Sequence, residues 1–167
     1  MKNAKIINLY IAIFVMIILS CLYSCKRQAL DDFFGLEMGD NIFSIKNILE
    51  NQKFELLFDE SFCIDDIEKE EIIFAEGILL GYKGKITLEF YENKLIGGII
   101  NYFHIDNNTD YKTLIDILME KYGNPENESE NYLIWKFSNN CKITASFYEY
   151  ARIVFMNDTL YDKKYNE

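Results

Sequence analysis

Few side chains in this chain are equipped for catalysis. It has one histidine, His104, and four cysteines, of which Cys63 and Cys141 lie well inside the sequence. A thiol nucleophile needs a base beside it and a third group to orient that base. His104 with Cys63 or Cys141 would supply two of the three, and no motif supplies the third. Zinc takes three or four nitrogen or sulfur ligands, and these three residues barely reach that number. There is no Gly-x-Ser-x-Gly elbow and no Walker loop. The run Asp106-Asn107-Asn108-Thr109-Asp110 starts like a calcium loop, but its sixth position is Tyr111 where glycine is needed and its twelfth is Ile117 where glutamate is needed. Capping a following helix is its expected role. No metal and no cofactor is expected.

Carboxylates are plentiful, and a glycosidase needs only two that face each other. Glu89, or Glu92 with Glu149, could be proposed for a small hydrolase. Charged residues are equally expected on the exposed face of an antiparallel sheet. The acids concentrate in Asp65-Asp66-Ile67-Glu68-Lys69-Glu70-Glu71, which reads as a solvated segment, or alternatively as a site for a cation or a basic partner. The formal net charge is −10. Such a balance gives no electrostatic footprint for nucleic acid and repels anionic lipid surfaces.

The elements that would position these groups follow from periodicity. Half of the residues are hydrophobic, enough for a core. Ile42, Ile45, Ile48 and Leu49 have helical spacing, with Asp40 the expected N-cap and a stop near Lys53. Extended stretches follow at 54–58, 72–74 and 78–82, with a turn at Lys83-Gly84. Residues 85–91 alternate, placing Ile86, Leu88 and Phe90 on one face. Glu92-Asn93-Lys94 turns into a further strand over 95–105. A second helix carries Tyr111, Leu114, Ile115, Leu118 and Tyr122 on one face and ends at Gly123 and Pro125. Strands are expected again at 132–137, 142–148 and 151–156, with a turn at Asn139-Asn140. The expected core runs through Trp135, Phe90, Phe147, Leu118 and Leu49.

Two stretches repeat. KITLEFYE begins at Lys85 and KITASFYE at Lys142, identical at six of eight positions. Each follows a turn and precedes a strand, and each half opens with a helix carrying an Ile-Leu pair, Ile48-Leu49 or Ile117-Leu118. This pattern reads as an internal duplication, with the acidic segment an insertion in the first copy. The fold expected is α+β: two tandem repeats of a helix and an antiparallel meander, with the helices packed on one face of the sheet. The halves are 37–106 and 107–167. Tyr91 and Tyr148 point away from the core in both copies, so the outer sheet face with Tyr91, Tyr148, Glu92 and Glu149 is the candidate binding surface.

The glycine-containing helix entry at 35–40, the Leu-x-x-x-Tyr-Gly-x-Pro end at 118–125 and the Trp135 strand resemble a group of small bacterial lipoproteins. Their helix-plus-meander fold is shared by the small lipoprotein subunit of the outer-membrane protein assembly machine and by the beta-lactamase inhibitor protein. The resemblance implies action by binding other proteins, with no cofactor, and transfers no partner-contacting residue.

The first residues also resemble a lipoprotein export signal. Lys2 and Lys5 precede an apolar run from Ile6 to Leu19, and Leu22-Tyr23-Ser24-Cys25 is similar to a lipobox, with Ile18-Leu19-Ser20-Cys21 as the competing match. The resemblance implies cleavage after residue 24 and acylation of Cys25, or of Cys21. It leaves a lipidated tether over 25–36 and one domain over 37–167, held at the bacterial envelope and facing an unknown envelope protein. An uncleaved anchor is the other reading. Lys26 after the cysteine, by resemblance to a sorting rule of enteric bacteria, favours the outer membrane. Removal of 1–24 takes two lysines and no acid, so the mature charge is −12. Outside the cytoplasm Cys63 and Cys141 could pair, or stay as separate buried thiols.

Overall fold

The computed structural model describes residues 29–30, 32–61, 70–129 and 132–166. Cys21, Cys25, Cys63 and residues 65–69 of the acidic run, with the expectations attached to them, lie outside the described residues.

Helix α1 (Ile42–Asn51) buries Ile42, Ile45 and Leu49. Its N-cap is Asn41, one residue later than expected, and the Asn41 side chain accepts the Ser44 amide at 3.0 Å. The Asp40 carbonyl accepts the Leu95 amide at 2.8 Å, so Asp40 belongs to the connection with the sheet. A meander of β1 (Glu55–Ser61), β2 (Glu70–Leu79), β3 (Tyr82–Tyr91) and β4 (Lys94–Tyr102) follows. Leu80 and Gly81 (φ 57° and 84°) join β2 to β3, and Glu92 and Asn93 (φ 51° and 62°) join β3 to β4. Two consecutive positive φ values match the natural twist of a tight hairpin. The turn expected at Lys83-Gly84 is therefore part of β3. Gly84 is needed there for space, because a Cβ would lie 3.0 Å from the Tyr102 ring.

Helix α2 (Asn108–Tyr122) is capped by Asn107, whose Oδ1 accepts the Asp110 amide at 2.9 Å, and it ends at Gly123 with φ 79°. Then come β5 (Asn127–Glu128), β6 (Tyr132–Lys136), β7 (Cys141–Phe147), β8 (Ala151–Asn157) and a helix α3 (Asp158–Asn166) that periodicity had not indicated.

The eight described strands form one antiparallel sheet in the order β1-β2-β3-β4-β8-β7-β6-β5. Strands β3 and β7, which carry the repeated octapeptides, each lie one place outward from the central β4–β8 pair. Ile86, Leu88, Phe90, Ile143 and Ala145 point to one face and are buried, together with Leu49, Leu118 and Trp135. The Trp135 indole N–H donates to the Gly123 carbonyl at 2.8 Å, pinning the end of α2 to the sheet. Phe147 departs from the expected core. It is half-buried at the margin, stacked on Tyr111 at 4.9 Å.

Two expectations about layout are corrected. Residues 30 and 32–36 do not behave as a tether: Leu30, Phe33 and Leu36 are 3%, 0% and 2% exposed. Phe33 stacks on Phe155 with ring centroids 4.3 Å apart, and the Leu30 backbone exchanges two hydrogen bonds with the Asn139 side chain. Apolar residues at every third position close the core edge that α1 and α2 leave open. The helices also do not all share one face. α3 lies across the opposite face, where Lys164 and Tyr165 both donate to the Glu89 carboxylate. Glu89 alternates with the buried Leu88 and Phe90, so α3 contacts the side of the sheet remote from the core. Among the described residues no helix is long and apolar enough to cross a membrane.

Candidate functional site

Register aligns the outer face into three rows. The first is Glu76, Lys85, Asn101, Arg152, Ser146 and Tyr132, on β2, β3, β4, β8, β7 and β6 in turn. The second is Phe74, Thr87, Ile99, Val154, Thr144 and Ile134, and the third is Ile72, Glu89, Gly97, Met156, Lys142 and Lys136. This face is charged at both ends and apolar across its middle.

α3 covers only the third row. Asn157 caps it, its side chain accepting the Leu160 amide at 3.0 Å. Asp158 pairs with Lys142 at 2.8 Å, and the Lys164 side chain, 1% exposed, pairs with Glu89. Asp158 in the first turn and Lys163 and Lys164 in the last match the helix dipole at both ends. The helix buries no apolar residue and leaves a cavity of about 230 Å³ over Ile72, Ile99, Val154 and Met156, with Tyr161 on its helical wall.

Among the described residues nothing covers the first row or the loops beyond it. Phe103 is 50% exposed, Ile78 68% and Tyr148 71%. The Phe103 and Tyr150 rings meet at 4.7 Å and form a ridge between two hollows. The larger, about 280 Å³, is lined by Ser146, Tyr148, Glu149, Tyr150 and Arg152. The smaller is lined by Glu76, Lys83, Lys85, Phe103 and His104. Arg152 is held in place: its Nε donates to Asn101 Oδ1 at 2.9 Å and its Nη2 to the Tyr150 hydroxyl at 2.8 Å. Lys85 Nζ lies 6.0 Å from the Phe103 ring centroid. Lys83 pairs with Glu76, which holds the Glu76 carboxyl below its ordinary value and the Lys83 ammonium above its own.

The residues singled out from sequence do not all converge. Tyr148 and Glu149 lie at this open end, at the β7–β8 connection. Tyr91 and Glu92 lie at the β3–β4 turn, at the other end of the strands. Antiparallel pairing of β3 with β4, β4 with β8 and β8 with β7 makes β3 and β7 run in opposite directions, so equivalent residues of the two octapeptides separate. Strands of this length hold their ends about 20 Å apart, whereas paired glycosidase carboxylates stand no more than about 9.5 Å apart. Glu92 and Glu149 therefore do not face each other, and Glu89 faces the ammonium of Lys164. His104 is exposed at the open end, while Cys141 is a buried free thiol at the far end, where it accepts from Asn157 Nδ2 at 3.5 Å. Burial raises the Cys141 thiol pKa, and these two residues form no Cys-His pair. Among the described residues no group of three or more His, Cys, Asp or Glu is placed to hold a metal ion.

Sequence reasoning missed Lys85, Asn101, Phe103, Tyr150 and Arg152 as site residues. Their row depends on the β4–β8 pairing, for which no local signal exists. It also missed α3, for which the signal was present: Asn157-Asp158-Thr159 followed by Lys163-Lys164 carries a cap and matching end charges.

Residues 31–166 match a family described as the TP0088 domain. That span begins after Leu30 and closes with α3, so Phe33, Leu36 and the outer helix fall within the matched domain. No curated protein and no solved structure matches the chain.

Proposed function

We propose that this chain, which belongs to the TP0088 domain family, is a bacterial envelope lipoprotein that acts by binding another protein through the open end of its outer sheet face. The observation that carries this reading is the exposed set of Ile78, Phe103 and Tyr148 at one end of the sheet whose other end α3 already covers. Exposed aromatics give large contact area with few side-chain torsions to immobilise, which suits a protein interface. The expected lipid on Cys25, or on Cys21, fits the path of the chain. Leu30 enters the fold beside Asn139, at the end of the strands remote from Phe103.

The duplication of a helix and a four-stranded meander belongs to the same reading. It is supported by the equivalent places of the octapeptide strands β3 and β7 and by helices α1 and α2 each preceding four strands. Under this reading an antiparallel join of the two halves gives one continuous sheet with two distinct outer ends. One end came to carry α3 and the other the partner.

The test combines labelling with capture. Fed a labelled fatty acid, cells should mark the protein, and Cys25→Ala should abolish the label. From detergent-solubilised envelopes, the tagged full-length protein should retain a partner that the Phe103→Ser, Tyr148→Ser double variant loses at unchanged expression. Label lost only with Cys21→Ala would move the anchor to that cysteine. No fatty-acid label with either substitution absent would contradict the lipoprotein reading. A partner held equally by the double variant would contradict the surface.

A further inference from the structure

The open end carries more than exposed rings, and its polar groups define what it can hold. Arg152 has two of its donors committed, to Asn101 and to Tyr150, and both bonds fix the plane of the guanidinium while leaving it exposed. A planar fork held in place before binding is suited to a carboxylate. Because Asn101 Oδ1 faces Arg152, its amide nitrogen is turned away from Arg152, and the next residue in the row on that side is Lys85. Neighbouring strands lie about 4.8 Å apart. Lys85 and Arg152 therefore flank Asn101 within the span of one extended segment laid across β3, β4 and β8. The Phe103–Tyr150 ridge stands beside this cationic row. The Glu149 carboxylate on the far wall of the larger hollow is an acceptor for amide N–H groups.

From this we infer that the row Lys85–Asn101–Arg152, with the Phe103–Tyr150 ridge, is a binding site for an acidic, aromatic-containing peptide segment of the partner protein. The inference rests on the protein-binding reading and gives that partner its chemistry. Acidic side chains meet Lys85 and Arg152, an apolar or aromatic side chain lies on the ridge, and backbone N–H groups meet Glu149. Charge complementarity selects this class. The net charge of the chain is −10, so the chain as a whole repels an acidic partner while Lys85 and Arg152 attract it locally.

Anionic lipid headgroups share the negative charge but not the geometry. Five residue steps lead from Cys25 to Leu30, a reach of at most about 18 Å. Leu30 is fastened to Asn139 at the far end of the strands. A lipid on Cys25 therefore turns the cationic row away from the membrane that carries it.

The experiment uses the full-length protein in detergent micelles and a fluorescein-labelled peptide of alternating Glu and Tyr as probe. Binding is read by anisotropy, with a Gln-Tyr peptide of the same length as control. The acidic peptide should bind and the control should not. Lys85→Gln and Arg152→Gln should each weaken binding about tenfold, the loss expected for one charge-assisted hydrogen bond. Raising salt should weaken it further, and phosphatidylglycerol vesicles should not compete. Unchanged melting temperatures establish that both variants are folded, and Lys163→Gln, outside the site, should bind like the wild type. Equal binding of both peptides, or of wild type and both site variants, overturns the inference. Competition by vesicles overturns it in favour of a lipid surface. If the peptide fails while the Phe103→Ser, Tyr148→Ser variant still loses its envelope partner, the protein-binding reading stands and the acidic chemistry is wrong.

Discussion

Phe33→Ala separates a tether from a structural strap. Phe33 is 0% exposed, stacked on Phe155 at 4.3 Å and parallel to Tyr122 at 6.2 Å. Removing a buried phenylalanine ring forfeits its transfer free energy and leaves a cavity, together about 3–5 kcal/mol. Leu30 and Leu36 hold the strap on either side and limit collapse of the gap, which places the cost toward the middle of that range. Against a total stability of about 5–15 kcal/mol this is a large fraction. It corresponds to a fall in melting temperature of about 10–20 °C for a domain of this size. The chain has a single tryptophan, Trp135, which is 2% exposed, so its fluorescence reports unfolding of the sheet without labelling. Urea titration of the full-length protein in micelles should show the midpoint moved strongly downward for Phe33→Ala. It should be almost unmoved for Phe43→Ala, whose ring is 71% exposed on α1. A loss below about 1 kcal/mol for Phe33→Ala would refute the strap and restore residues 30–36 to the tether.

Three further outcomes follow from the same contacts. Tyr102 is fully buried with its hydroxyl unbonded among the described residues, and burial alone pushes its pKa well up. Tyr102→Phe should therefore leave stability unchanged or raise it by about 1 kcal/mol in urea titration, since no hydrogen bond is lost. Lys164→Met removes the buried partner of Glu89, which is 26% exposed, and should cost about 1–3 kcal/mol. Its signature is faster hydrogen exchange confined to α3. For Asp32, partial burial raises the carboxyl, but Lys121 at 2.9 Å and the Gly35 amide outweigh it and hold the pKa below the ordinary value. A depressed carboxylate contributes stability above its unfolded pKa that is lost as pH falls through the folded one. Wild type should lose stability relative to Asp32→Asn as pH falls below the ordinary aspartate value of about 3.9, and the difference should vanish once the folded carboxyl is protonated.

The strand-and-helix content was legible where local rules decide it. Asn107 and Gly123 bracket α2 because each end needs a side-chain acceptor or a left-handed residue. Strict alternation identified β3 and most of β7. The exceptions have specific causes. Gly84 reads as a turn residue, but its missing side chain makes room for Tyr102, so the turn moved to Leu80-Gly81. α3 has no apolar stripe because it meets the sheet through Lys164, Tyr165 and Asp158. The candidate site was half legible. Tyr148 and Glu149 were marked by the repeat, but the same repeat suggested Tyr91 and Glu92 as their neighbours. The antiparallel β4–β8 join sends that pair to the other end and brings Lys85, Asn101 and Arg152 alongside instead.

The central claim is that a protein partner occupies the open end of the outer face. Photo-crosslinking in intact cells tests it most directly, with a photoreactive amino acid placed singly at Tyr148, in the hollow beside Arg152, and at Phe43, on α1, both 71% exposed. The account predicts a discrete protein adduct from position 148, absent from position 43 and lost when Arg152→Gln is added. No adduct from position 148, or the same adduct from both positions, would contradict it.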